Sequence, residues 1–176
     1  MAAARARWDS PTLVLDRRPR DHAELLSFVA HYGALVCRGN PRCALEDVVF
    51  RAVRASRMDP SLARMLPVFL WRMRDKLDLD RLVTKSLGRP WSASLGYFLE
   101  LAGTLGTFDG FGGAVARLRA DLRPGRREYF FRNARRNPFE AMVADERTPP
   151  QAVGWGLLTG MPTEAFESYF TKVAHL

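Results

Sequence analysis

Asp59-Pro60-Ser61-Leu62-Ala63-Arg64-Met65-Leu66-Pro67-Val68-Phe69-Leu70-Trp71-Arg72-Met73 is the stretch that decides the fold class. Leu62, Met65, Leu66, Phe69, Leu70 and Met73 fall at i, i+3, i+4, i+7, i+8 and i+11, the apolar stripe of an amphipathic helix. Asp59 supplies a carboxylate for the free N–H groups of the first turn, and Pro60 loses nothing at the first helical position, where its missing N–H has no partner anyway. Pro67 lies inside the pattern and predicts a kink or a break near Leu66.

The same grammar recurs along the chain. Asn40-Pro41, Asn137-Pro138 and Thr148-Pro149 each pair a capping residue with a helix-opening proline. Asp21 and Glu24 have capping-box spacing for a helix from about Asp21 to Val36. Further helices are expected over Ala44–Ser56 and over a short stretch capped by Asp78 and ended by Gly88, then Pro90–Leu105 and Phe111–Leu122. Phe139–Ala144, Gln151–Thr159 and Thr163–His175 complete the set. Leu13-Val14-Leu15 and Tyr129-Phe130-Phe131 favour strands but are too short to assign. No period of solenoid length repeats. The expected architecture is all-α: a single-domain orthogonal bundle of eight or nine short helices over residues 21–176, after a flexible N-terminal segment 1–20. Phe69, Leu70, Trp91, Phe98, Leu99, Phe166 and Phe170 are expected in its core, with Trp71 and Trp155 also read as core.

Charge is the sharpest functional signal. Arg117, Arg119, Arg123, Arg126, Arg127, Arg132, Arg135 and Arg136 crowd one stretch, opposed only by Asp121 and Glu128, in a chain of net charge +8. Tyr129, Phe130 and Phe131 sit among them. Arginine's planar fork suits phosphates and equally suits a partner's carboxylates. Only Lys76, Lys85 and Lys172 accompany the arginines as lysines, so the local cluster says more than the total charge. A solvated helix face carrying Arg117 and Arg119 is the plainer alternative.

Catalytic and metal patterns are weak by comparison. Cys37 and Cys43 bracket Gly39-Asn40-Pro41; with His22 or His31 they offer at most three ligands, short of a structural zinc site, and read as free thiols. His175 has no signature partner. The acids of Glu46-Asp47 point apart on a helix, and Asp78 with Asp80 suits a helix start. Gly103 to Gly113 lacks both the preceding strand and the Lys-Ser or Lys-Thr of a phosphate loop, and reads as a helix connection. No secretory signal or spanning segment is read, so the expected setting is cytoplasmic, without membrane, cofactor or metal.

Leu79-Asp80-Arg81-Leu82-Val83, followed by Leu95-Gly96-Tyr97-Phe98-Leu99-Glu100-Leu101-Ala102-Gly103, resembles the helical C-terminal part of abortive-infection antitoxins of the type IV toxin–antitoxin class. The resemblance covers about residues 60–106 and implies a short helix before a "leucine-glycine-tyrosine, leucine-glutamate" helix. In that family a winged-helix DNA-binding segment comes first; Met1 to Arg57 carries no recognition helix followed by a β-wing. No functional residue is carried over. The leading functional expectation is a non-enzymatic regulatory or interaction protein, antitoxin-like, that binds an acidic protein partner through Arg117, Arg119, Arg123, Arg126, Arg127, Tyr129, Arg132, Arg135 and Arg136. The alternative is a regulator gripping the phosphates of DNA or RNA through the same segment, with Tyr129 stacking on a base. An enzyme with an unrecognised site ranks third.

Overall fold

In the computed structural model, residues 45–125, 127–135 and 137–173 are described, the side chains of Asn133 and Arg135 excepted. The segment 1–20, the helix expected over Asp21–Val36, Cys37, Cys43 and all three histidines lie outside them. Among the described residues, eight α-helices form an all-α bundle: α1 Leu45–Ser56, α2 Pro60–Met73, α3 Leu79–Ser86, α4 Ser92–Gly106, α5 Gly112–Ala120, α6 Pro138–Arg147, α7 Pro150–Gly154 and α8 Thr163–Val173.

Helix α2 starts as its sequence dictates. The Asp59 carboxylate accepts from Ser61 N at 2.7 Å and from Leu62 N at 3.2 Å, with Pro60 behind it. The helix then runs unbroken through Pro67, so of the expected kink or break, the break does not occur. Pro67 gives up the bond its N–H would make to Ala63, at a cost of about 3 kcal/mol. Leu66, Phe69, Leu70 and Met73, all buried, hold the chain helical through that defect.

Helix α4 lies at the centre of the main apolar cluster. Leu95, Phe98, Leu99 and Ala102 are fully buried, and α4 packs against both α2 and α5. Two of its glycines are packing sites. A methyl group at Gly96 would overlap the Trp155 ring, and one at Gly106 would overlap Trp71, whose Nε1 donates to Gly106 O at 3.2 Å. Helix α8 closes on α2 through Phe170, whose ring meets Trp71 edge-on at 5.4 Å. Of the three tryptophans expected in the core, Trp155 is fully buried. Trp71 and Trp91 are half-buried at the core's margin, where Arg74 and Arg54 respectively cover their faces.

The helix expected over Gln151–Thr159 is cut short. Helix α7 stops at Gly154, Gly156 takes φ +67, and the next two residues become a strand. Strands β1 (Glu128–Tyr129) and β2 (Leu157–Leu158) pair in parallel, Glu128 beside Leu157 and Tyr129 beside Leu158. The Tyr129-Phe130-Phe131 run thus has its β character realised over two residues, and Phe130 then plugs the core against Phe98 at 5.6 Å. Helix α5 is also shorter than expected: Phe111 belongs to a separate 3₁₀ turn, Asp109–Phe111, that seats its ring in the core, and the helix ends at Ala120, before Asp121 and Leu122.

Candidate functional site

The structure divides the arginine segment into two groups. Helix α5 buries Leu118 and so turns Arg117 and Arg119 outward on either side of it. Both then find acids of the same chain. Arg117 Nη1 meets Asp80 Oδ1 at 2.6 Å. Arg119 Nη2 contacts both Glu100 oxygens at 2.8 Å, and its guanidinium lies 4.6 Å from the Trp155 ring centre. Trp155 Nε1 donates to the same Glu100 carboxylate. These two arginines fasten α5 to α3, α4 and Trp155. Both charges are matched at the surface by acids of the same chain.

Arg123, Arg127 and Arg132 are different. They are exposed and have no ion pair among the described residues. Arg126 and Arg136 lie outside those residues, as does the side chain of Arg135. Tyr129 is half-buried, and its hydroxyl donates to Asp145 Oδ2 at 3.2 Å. Its phenol pKa is raised, first by desolvation and then by Asp145.

Arg123 and Arg127 line one cleft of about 420 Å³, and sequence reasoning missed its third arginine, Arg89. The cleft forms where three turns meet: the α3–α4 turn, the α5–β1 connection and the α7–β2 turn. Gly88 at φ +70 and Gly125 at φ +73 allow the first two to bend sharply. Asp121 Oδ2 accepts from Gly88 N at 2.8 Å and ties them together. Glu128, also in the wall, is ion-paired from behind by Arg57 at 3.3 Å. Arg57 is itself buried and donates to Phe130 O and Tyr129 O. Ser92 and Ala93, at the N-terminus of α4, complete the lining; no side chain caps that helix end. The Gly88-Arg89-Pro90 turn was legible as a helix boundary, but nothing in sequence put Arg89 beside Arg123 and Arg127.

A second cleft, of about 460 Å³, lies on the other side of β1. It is apolar, with Met58, Phe131, Phe139, Val143 and Met161 among its lining. The acid pairs serve the fold. Glu46 accepts from Asp78 N at 3.0 Å, Asp78 caps α3 through Arg81 N at 2.9 Å, and Asp80 holds Arg117. No group of three or more metal-ligating side chains exists among the described residues, and no helix there is long and apolar enough to cross a membrane. The chain matches no family model, and no curated protein or solved structure is similar to it at a significant level.

Proposed function

We propose that the protein is a non-enzymatic interaction module that docks an acidic protein partner through its arginine segment, at the cleft lined by Arg89, Arg123 and Arg127 and at the exposed Arg132. The observation that carries this reading is the division of the arginines: Arg117 and Arg119 are neutralised by the chain's own acids, whereas Arg123 and Arg127 keep their charge at one concave place. A concave patch rimmed by guanidiniums suits side-chain carboxylates, which arginine grips in bidentate fashion. An extended track of evenly spaced cations, which nucleic acid favours, is less well supported. Two arginines of the segment are taken, and the Tyr129 hydroxyl is engaged by Asp145.

The motif residues that resemble abortive-infection antitoxins, 79–83 and 95–103, are not themselves part of this surface. They serve the scaffold: Gly96 makes room for Trp155, and Glu100 binds Trp155 and Arg119. The likeness therefore belongs to the frame that supports the cleft.

Retention on immobilised polyglutamate and on single- and double-stranded oligonucleotides at low salt tests the reading. The expected result is retention on polyglutamate that is lost on changing Arg123, Arg127 and Arg132 together to Ala, with the fold intact by circular dichroism. Retention on oligonucleotides instead, with a log–log salt slope near −0.9 per phosphate neutralised, would assign the surface to DNA or RNA.

A further inference from the structure

We infer that the cleft of Arg89, Arg123 and Arg127 is a receptor for a phosphate monoester, presented as a phosphorylated serine or threonine on the acidic partner. The inference rests on the partner reading above and sharpens it to one chemical group.

Charge comes first. Arg89, Arg123 and Arg127 line the cleft together with Asp121 and Glu128, and Arg57 pairs Glu128 from behind. Among the described residues, four guanidiniums against two carboxylates leave two positive charges. A phosphate monoester carries about −1.5 to −2 at neutral pH and balances them, where a carboxylate leaves one uncompensated.

Hydrogen bonding points the same way. Helix α4 spans fifteen residues and begins at the cleft without a side-chain cap. Ser92 N bonds Arg89 O and Leu95 N bonds Trp91 O, but the amides of Ala93 and Ser94 find no acceptor among the described residues. Free amides at a helix start, with the positive end of the helix dipole behind them, favour an anion. Ser92 adds an independent sign. It is only 7% exposed, it lines the cleft, and its hydroxyl has no partner among the described residues. That hydroxyl is open to the cleft and free to bond a ligand there. Three arginines, Ser92 and the free-amide start of α4 at Ala93 line one cleft, a donor set of the kind that serves the three acceptor oxygens of a phosphoryl group.

Calorimetric titration with inorganic phosphate, and with a pair of acidic peptides differing only in phosphoserine against glutamate at one position, provides the test. One saturable phosphate site is expected. Arg89→Ala should weaken phosphate binding about tenfold, and the milder Ser92→Ala about threefold to fivefold. Arg117→Ala, outside the cleft, should change nothing. The phosphopeptide should bind at least about tenfold more tightly than its glutamate twin at pH 7.5, and that advantage should shrink below about pH 6, where the phosphoryl group takes up its second proton. No described residue is a histidine, so no described imidazole imitates that profile.

Equal binding of the two peptides overturns the inference and leaves the acidic-partner reading standing. Phosphate binding that does not saturate, or that survives both Arg89→Ala and Ser92→Ala, overturns it too. Saturable phosphate binding without retention of either peptide keeps the phosphate site, overturns the partner reading, and assigns the cleft to a free phosphorylated small molecule. Circular dichroism checks that each variant is folded; if Arg89→Ala is not, Ser92→Ala and Arg127→Ala decide.

Discussion

Arg57 and Glu128 meet at 3.3 Å with their side chains 9% and 8% exposed, joining the α1–α2 turn to strand β1. The guanidinium also donates to the carbonyls of Tyr129 and Phe130, at 3.0 and 3.1 Å, and Arg57 O accepts from Arg132 N at 3.0 Å. Glu128 lines the basic cleft and Arg57 lines the apolar one. The pair is therefore the partition between the two clefts, and it fixes the backbone on which Arg127 and Tyr129 are carried.

Removing Arg57 takes a partner from the buried Glu128 and the donor from the Tyr129 and Phe130 carbonyls. Arg57→Ala should destabilise the protein by about 3–5 kcal/mol in urea unfolding. Replacing both members by apolar residues of similar volume, Arg57→Met with Glu128→Leu, should cost clearly less. A single change that costs under about 1 kcal/mol would show that the pair does not anchor β1.

The seat of Trp155 on α4 gives a second prediction. Gly96 has no room for a side chain, because the indole ring occupies the place of its Cβ. Gly96→Ala should cost about 1–3 kcal/mol through overpacking. It should also shift the emission of Trp155, as the ring is displaced and its bond to Glu100 disturbed. Trp155→Leu in the same chain should recover part of the loss; no recovery would separate the two positions.

Much of the frame was legible because it depends on local chemistry. Caps at Asp59, Asp78 and Asn137 and the stripe of α2 act within a few residues, and each appears where the sequence places it. The misplaced elements depend on distant partners. Leu157-Leu158 reads as the end of a helix until Glu128-Tyr129 offers it a strand to pair with. Pro67 allows a break until burial of Leu66 and Phe69 holds the helix through it. The arginine cluster was visible as composition, but its sorting was not. Asp80 and Glu100 take Arg117 and Arg119 from 37 and 19 residues away, and Arg89 reaches the cleft from a turn with no special charge pattern.

Tyr97 supplies a pH-dependent prediction. Its hydroxyl is buried without a partner, and its pKa is raised above 10.0, by burial first and by the Glu100 charge second. The neutral phenol is the form the fold favours. Its contribution is complete below the unfolded pKa near 10.0 and is lost as pH rises above it, because the unfolded chain then releases a proton that the folded one keeps. Stability should fall steeply on the alkaline side, and Tyr97→Phe should flatten that fall. The variant should also gain about 1 kcal/mol at neutral pH by removing an unsatisfied buried group. Urea midpoints at pH 7 and pH 11 read both effects; unchanged alkaline sensitivity in Tyr97→Phe would place its origin elsewhere.

The two groups of arginines should respond oppositely to substitution. Arg119 bonds Glu100, with both side chains partly exposed, and covers the Trp155 ring, so Arg119→Ala should cost about 1 kcal/mol of stability after allowance for solvent screening. It should leave polyglutamate retention nearly unchanged, because that charge is already matched by Glu100. Arg123→Ala with Arg127→Ala should do the reverse. Neither side chain has an ion pair among the described residues, so the melting temperature should stay within about 2 °C, as for a surface change worth under about 0.5 kcal/mol. Binding to an acidic ligand should fall, and its salt dependence should flatten as those contacts disappear. If Arg119→Ala abolishes binding as fully as the double change, the functional surface extends along α5 and the division of the segment into structural and free arginines is wrong.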